Sequence, residues 1–215
     1  MRLLLLVAAS LSLAQLRAEP SDGGIPLTGL SGDGPWGALV GALGQKGPIQ
    51  ASFTERRYFS IRKDPTVLHG VIRISPEHGL SLGYTSPEVL TLVADSQGLI
   101  MRDARGHDRA VPLAVRQAGA IASLLPVMEF DIKDLAQKFE ISAFGSPFDW
   151  RMDFQPREPG PLGTIIVWGR GTDVDKIEFR RSATQRIEIE VGDTHTGVRF
   201  TADDLRRYFR APPAR

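Results

Sequence analysis

Three patterns in this sequence carry the letters of known chemistry. Gly79-Leu80-Ser81-Leu82-Gly83 spells the GxSxG of a serine nucleophile. Such a serine works only on a strained strand-to-helix turn that lifts its hydroxyl clear of the backbone. Here Ser81 lies inside an alternating run, Leu80, Leu82 and Tyr84 against Ser81 and Gly83, and no helix follows before Thr85-Ser86-Pro87. Its base would have to be His107 or His195, and neither carries a supporting motif. A strand serine on a solvated face is the expected reading, and a secreted serine hydrolase using Ser81 the alternative. Gly32-Asp33-Gly34-Pro35-Trp36-Gly37 spells GxGxxG. A dinucleotide site needs a strand before it and backbone amides aimed at the pyrophosphate, but here a loop-like leader precedes and Pro35 removes an amide.

The third pattern, Asp173 and Asp175, opens like a calcium loop. Glu178 then stands where that loop needs glycine, and Thr184 where it needs a bidentate acid, so a hairpin turn is expected. The histidines, His69, His78, His107 and His195, show no i, i+4 or HxH spacing, so no zinc site is expected. Asp103, Arg105, His107, Asp108 and Arg109 read as a solvated loop. The sequence therefore predicts a non-enzyme with no catalytic residue, metal or cofactor.

Composition narrows the class. The 215 residues are 42% hydrophobic and 24% charged, enough apolar material for a core and too much for a disordered chain. A net charge of +1 gives no basic footprint for nucleic acid. The absence of Cys excludes disulfides, thiolate ligands and a lipid-modified cysteine. Met1-Arg2, the apolar run Leu3 to Leu13 and small residues at Ala14 and Ala18 are the parts of a secretory signal, expected over 1–18. The run is too short for a bilayer span of about 20 residues. Secretion without cysteine suits a bacterial periplasm. Residues 19–35, rich in Gly, Pro and Ser, are expected to be a flexible leader, and 36–210 a single domain.

Strands dominate that domain. Trp36, Leu39, Val40 and Leu43 predict a short amphipathic helix. Alternating runs then follow at 49–60, 68–75, 80–84, 89–94 and 99–102, separated by turn residues such as Ser75-Pro76-Glu77 and Asp95-Ser96-Gln97-Gly98. Gln117 to Lys138 interrupts them with helical spacing at Ala120, Ile121, Leu124 and Leu125, a break at Pro126, and a second helix capped by Asp131. Strands resume at 139–143, 150–154, 164–168, 176–180 and 186–191, with a further candidate at 198–200, and 202–210 reads as a terminal helical turn with Arg206, Arg207 and Arg210 exposed. Short turns make the sheet antiparallel. The reading is mainly β (α+β), about ten or eleven strands. The helices are too few to cover so many strands, so the sheet either curls and fills its own interior or curls around a lined cavity. A cavity lined by Leu, Ile, Phe and Met could hold an acyl chain with no catalytic group, each buried CH₂ contributing ~0.8 kcal/mol.

The residues at Ile49-Gln50-Ala51-Ser52-Phe53-Thr54-Glu55, Gly70, Pro76, Pro87, Leu92-Val93-Ala94-Asp95-Ser96 and Gly98-Leu99-Ile100 resemble, in order and spacing, the periplasmic lipoprotein carrier LolA and its relatives. The resemblance is closest over about 49–103. It implies an incomplete antiparallel β-barrel with a helical lid over an apolar cavity that shields acyl chains of lipoproteins or another lipid. Cargo would come from an inner-membrane exporter and pass to an outer-membrane acceptor, with the carrier acting as a monomer. Carried over by position, Phe53, Ile72, Ile74, Leu80, Leu82, Tyr84, Leu92, Leu99 and Met101 would line the cavity, and Ile121, Leu124, Leu125 and Met128 the lid. The family's basic residue just before Pro76, which latches the lid, is Ser75 here, and Arg73 is the candidate to replace it. A non-transporting binding or sensor module of the cell envelope is the other alternative.

Overall fold

The computed structural model describes residues 23–27, 34–111, 126–158, 163–182 and 184–210. The predicted signal segment therefore lies outside the described residues. In chain order the elements are β1 (Ile25–Pro26), α1 (Pro35–Gly44), β2 (Ile49–Tyr58), β3 (Thr66–Ser75), β4 (Gly79–Ser86), β5 (Leu90–Asp95), β6 (Gly98–Asp103) and β7 (Asp108–Ala110), then α2 (Ile132–Lys138), β8 (Phe139–Ser146), β9 (Asp149–Pro156), β10 (Thr164–Arg170), β11 (Asp173–Arg180), β12 (Arg186–Thr196) and α3 (Ala202–Tyr208). Residues 126–129 are also helical.

All strands belong to one antiparallel sheet in the order β1-β8-β9-β10-β11-β12-β2-β3-β4-β5-β6-β7. Its edges, β1 and β7, do not pair with each other, so the barrel stays open. The count of ten or eleven becomes twelve because of two short edge strands. β1 comes from the stretch expected to be a flexible leader: Ile25 pairs with Ala143, and the Leu27 amide donates to the Ile141 carbonyl at 2.9 Å. No strand forms at 198–200; β12 runs on to Thr196 instead.

Three register breaks curl the sheet, between His69 and Gly70, Trp168 and Gly169, and Gly192 and His195. Such bulges bend a strand and deepen its twist. Two of the glycines seat aromatic rings. A Cβ on Gly70 would stand 2.4 Å from the Gly83 carbonyl oxygen and 2.7 Å from the Phe53 ring, and one on Gly169 would stand 2.4 Å from the Trp150 ring. Each ring leans across its paired glycine toward the interior.

Register sorts the side chains into two faces, since paired residues share a face. One inner row runs Ile72, Leu82, Leu92, Met101, and the next Ile74, Leu80, Ala94, Leu99. On the other half the inner row Ala143, Met152, Val167, Ile177, Ile189 continues it. These side chains form one hydrophobic core.

The outer face divides in two. Over β9–β12 and β2 it is a ladder of charges in partial contact with water: Arg56 with Glu190 at 2.7 Å, Arg186 with Glu188 at 2.7 Å, Arg151 with Asp153 at 2.9 Å. Over β3–β6 it is covered by a C-terminal strap, residues 198–210, built on α3. Thr201 caps α3 in a reciprocal box with Asp204. Arg102 donates to the carbonyls of Arg206, Arg207 and Phe209 at 2.8–3.0 Å while its other nitrogens hold Asp108. Arg210, expected to be free on the surface, binds the Asp95 carboxylate at 2.6 Å. Phe209 is fully buried.

Candidate functional site

The chemically suggestive residues resolve first. Ser81 lies mid-strand in β4, on the outer face, at 0% exposure, paired in register with Arg73 and Val93. Its hydroxyl has no hydrogen-bond partner among the described residues. The first residue of its strand, Gly79 at φ +88°, closes the turn from β3 into β4 and leads into no helix. A hydroxyl sealed beneath the strap cannot reach a substrate, so the expectation of a solvated Ser81 and the nucleophile alternative both fail on burial. Gly34 precedes α1 at φ 141° without a side-chain cap, with Pro35 as the first helical residue. Asp173 and Asp175 begin β11 after a turn at Gly171, as a hairpin requires, and Asp175 holds Arg170 at 2.8 Å.

The apolar inner face with its cover is the site these residues do build. Phe53, Ile72, Ile74, Leu80, Leu82, Tyr84 and Leu92 are all buried in its core, and Leu99 and Met101 pack against it half-buried. The cover consists of α1, the turn at 126–129 and α2. From α1, Trp36, Leu39 and Leu43 point inward. From the second segment come Val127, Met128 and Phe130, all buried. Ile121, Leu124 and Leu125 lie outside the described residues. α2 begins as the sequence predicts, with the Asp131 carboxylate accepting from the Asp134 amide at 3.1 Å, and Leu135 turned into the core.

Phe130 is the pivot of this cover. It holds φ +50°, a left-handed conformation that costs a bulky residue roughly 1–2 kcal/mol. The return is an edge-on contact between its ring and Trp150, centroids 6.1 Å apart. Trp150 is fixed in turn by its indole N–H donating to the Gly171 carbonyl at 2.8 Å. Sequence reasoning missed this half of the site, Trp150, Met152, Phe154 and their neighbours on β10–β12. The signal was present as alternation in those strands.

One end of the inner face is polar. The Tyr84 hydroxyl donates to Glu55 at 2.6 Å, and Arg57 holds the same carboxylate while reaching Tyr84 at 3.5 Å. Burial, with the Glu55 carboxylate added, pushes the Tyr84 phenol far above its ordinary range. Tyr84 is thus an amphipathic lining residue whose ring packs edge-on to Phe53 at 5.4 Å while its hydroxyl ties off Glu55.

At the opposite end an open cleft of ≈ 580 Å³ lies between the end of α1, Ile49, Ile74 and residues 128–133. Beneath it Leu43, Ile72, Ile74, Met128, Phe130 and Val191 enclose a hollow of only ≈ 20 Å³, room for about one water. Lys46 lines both and binds Asp173 at 3.3 Å. Arg73, the candidate latch, is placed elsewhere. It sits on the outer face, its guanidinium 3.6 Å from the Tyr208 ring centroid and its Nε donating to the Gln50 side-chain Oε1 at 3.0 Å. The alternation of β3 puts it opposite Ile72 and Ile74, so it fastens the strap and not the cover.

An open, curled antiparallel sheet whose apolar inner face is closed by helices defines a carrier-type fold. Residues 35–195 match the family described as outer membrane lipoprotein carrier protein LolA-like, and the chain belongs to that family. Among curated proteins no match is found. Among solved structures it is similar to a LolA superfamily protein from Nitrosomonas europaea (7% identity, 78% of this chain and 95% of that one, TM-score 0.43). It is also similar to a DUF1329 family protein from Desulfovibrio piger (8% identity, 79% and 93%, TM-score 0.43) and to MucB (16% identity, 83% and 62%, TM-score 0.42).

Proposed function

We propose that this chain is a non-catalytic periplasmic carrier. It shelters the acyl chains of a lipoprotein, or of another lipid, between the inner face and the helical cover while they travel from the inner to the outer membrane. It would take them from an inner-membrane exporter and hand them to an outer-membrane acceptor. The observation that carries this reading is the chemistry of the contact between cover and sheet. Val127, Met128, Phe130, Trp36, Leu39 and Leu43 meet an inner face of Ile, Leu, Phe and Trp. Replacing those side chains by an acyl chain exchanges one apolar contact for another, so the opened, loaded state loses little burial. Each enclosed CH₂ then contributes ~0.8 kcal/mol.

The sequence of α1 suits a part that must move. Its ten residues, Pro-Trp-Gly-Ala-Leu-Val-Gly-Ala-Leu-Gly, contain no charge, no side-chain N-cap and three glycines. Gly is among the poorest helix formers, so α1 persists through its packing and not through its own propensity. The narrow hollow of ≈ 20 Å³ corresponds, on this reading, to the unloaded state, and the ≈ 580 Å³ cleft above it to the mouth.

Native mass spectrometry of the protein taken from periplasm tests the proposal. Adducts with the masses of acylated molecules are expected, together with displacement of a fluorescent fatty acid from delipidated protein. A delipidated chain that binds neither a fluorescent fatty acid nor an acylated peptide at micromolar concentration would overturn it.

A further inference from the structure

The end of the sheet that carries the β2–β3 and β4–β5 hairpins is greasy where hairpin tips are normally polar. Ile61 is 91% exposed, Val89 61%, and Phe59 and Val67 40% each. Phe59, Ile61 and Val67 fall within nine residues on one hairpin. Single exposed apolar residues need no explanation, but a cluster on a protruding tip does. Antiparallel pairing puts Val89 at the same end, since Ser86 at the close of β4 pairs with His69 near the start of β3.

The tip is held in one shape: the Arg62 amide donates to the Phe59 carbonyl at 3.0 Å, and the Arg62 guanidinium to the Thr66 hydroxyl at 2.9 Å. Arg62 and Lys63 are exposed beside Ile61, and neither is ion-paired with a described residue. Arg105 and Arg181, in the neighbouring turns at this end, add positive charge. At the opposite end the turns carry both signs, with Glu77, Asp149, Asp173 and Asp193 beside Lys46, Arg170 and Arg199. Asp64 on the same tip as Ile61 and Glu88 beside Val89 are also exposed, so Arg62 and Lys63 against Asp64 leave residues 59–67 with a net charge of +1.

We propose that the 59–67 hairpin tip docks on the surface of an anionic phospholipid bilayer, with Phe59 and Ile61 entering the headgroup region and Arg62 and Lys63 on the lipid phosphates. Exposed apolar residues directly followed by the basic pair Arg62-Lys63 are a composition that interfacial anchors use, and each Lys or Arg near an anionic surface strengthens binding about fivefold. This inference is independent of acyl-chain carriage: a chain that docks need not load, and one that loads need not dock.

The test is flotation of the full mature chain with phosphatidylethanolamine vesicles containing or lacking phosphatidylglycerol. Wild-type protein is expected to float with the anionic vesicles only, and to release as salt rises and screening shortens. Ile61→Asp should weaken binding roughly tenfold or more, from the lost apolar insertion, and Lys63→Glu at least about fivefold. Because Ile61 touches almost nothing, its substitution should leave the unfolding temperature unchanged, which separates docking from folding. In Ile61→Trp the added tryptophan should shift to shorter wavelength on vesicles and be quenched by brominated acyl chains. Wild type that stays below the vesicles, or Ile61→Asp that floats as well as wild type, overturns the proposal. So does light scattering that shows a dimer abolished by Ile61→Asp, since the tip would then cover a second copy. Fatty-acid binding in Ile61→Asp should equal wild type, so failure of docking and failure of carriage read differently.

Discussion

The sheet carries a cover on each face, the outer one over β3–β6 only, and the two are fastened by different physics. On the outer face the strap is bound by arginines: Arg102 to three carbonyls and Asp108, Arg210 to Asp95, Arg73 against Tyr208. On the inner face the cover meets the sheet through apolar side chains, chiefly Trp36, Leu39, Leu43, Met128 and Phe130. Charge-assisted hydrogen bonds are directional and leave an expensive unpaired group when broken. Apolar contacts have no direction, and another apolar body of the right shape satisfies them equally. The strap is built to stay and the cover to be exchanged.

Breaking the outer fastening should have the largest effect. Arg102→Met takes the donor from three carbonyls at the end of α3, at roughly 1–3 kcal/mol for each left buried and unpaired, while half-exposed Asp108 regains water. Urea unfolding should show that loss, and hydrogen exchange should place it at 202–209. Fatty-acid binding by the folded fraction should not change. Equal loosening of 126–138 would erase the distinction between the covers.

Breaking the inner fastening should cost somewhat less and show differently. Phe130→Ala removes the ring on Trp150, about 3 kcal/mol for a buried phenylalanine. It should raise binding of a hydrophobic dye, because the face it uncovers is apolar. If dye binding stays flat while stability falls, the cover is ordinary core and the exchange argument is lost.

How much of this the residues announced depends on the range of the interactions. Strands β3–β6 were readable because Leu80, Leu82 and Tyr84, or Leu90 and Leu92, alternate without interruption. The Asp131 cap was readable because it is decided within three residues. The antiparallel pairing followed from short turns, and the open barrel was implied by the family resemblance. By contrast, Ile25-Pro26 has no periodicity to mark it as a strand; its pairing with Ala143 is decided more than a hundred residues away. The outer face of β3–β6 was misread for the same reason. Ser81 looks solvated by type and Arg73 was the candidate lid latch, and only the return of the C-terminal strap buries both, with Arg102, on this face. β12 outlasted its expected end because the bulge between Gly192 and His195 hides the continuation of the strand.

A gentler change sharpens the comparison without breaking either cover. Gly41 lies mid-α1 with open space where a Cβ would go. Gly41→Ala should therefore stabilise the helix by about 0.5–1 kcal/mol, read as a small rise in Tm. If α1 must leave the sheet as cargo enters, the same substitution should also slow fatty-acid uptake in stopped-flow fluorescence. A stabilised chain that loads at the wild-type rate would assign the moving part to residues 126–138 alone.

Acid should act on the two covers with opposite sign, and this is the smallest effect. In the strap, the Thr201 hydroxyl and amide bind the Asp204 carboxylate and hold it below its usual 3.8. A depressed carboxyl contributes stability above its unfolded pKa that disappears as pH falls through the folded one. In the cover, partial loss of solvent and the neighbouring Asp131 push the Glu129 carboxyl above its usual 4.5. A raised carboxyl binds its proton more tightly in the folded chain, so stability rises as pH falls through that raised value. Between pH 6 and pH 3, hydrogen exchange corrected for intrinsic rates should therefore show residues 126–133 tightening first and residues 201–209 loosening afterwards. Glu129→Gln should abolish the first change and leave the second, whereas Asp204→Asn should do the reverse. A single transition shared by both regions would mean that they open as one unit, in which case strap and cover are not separately fastened.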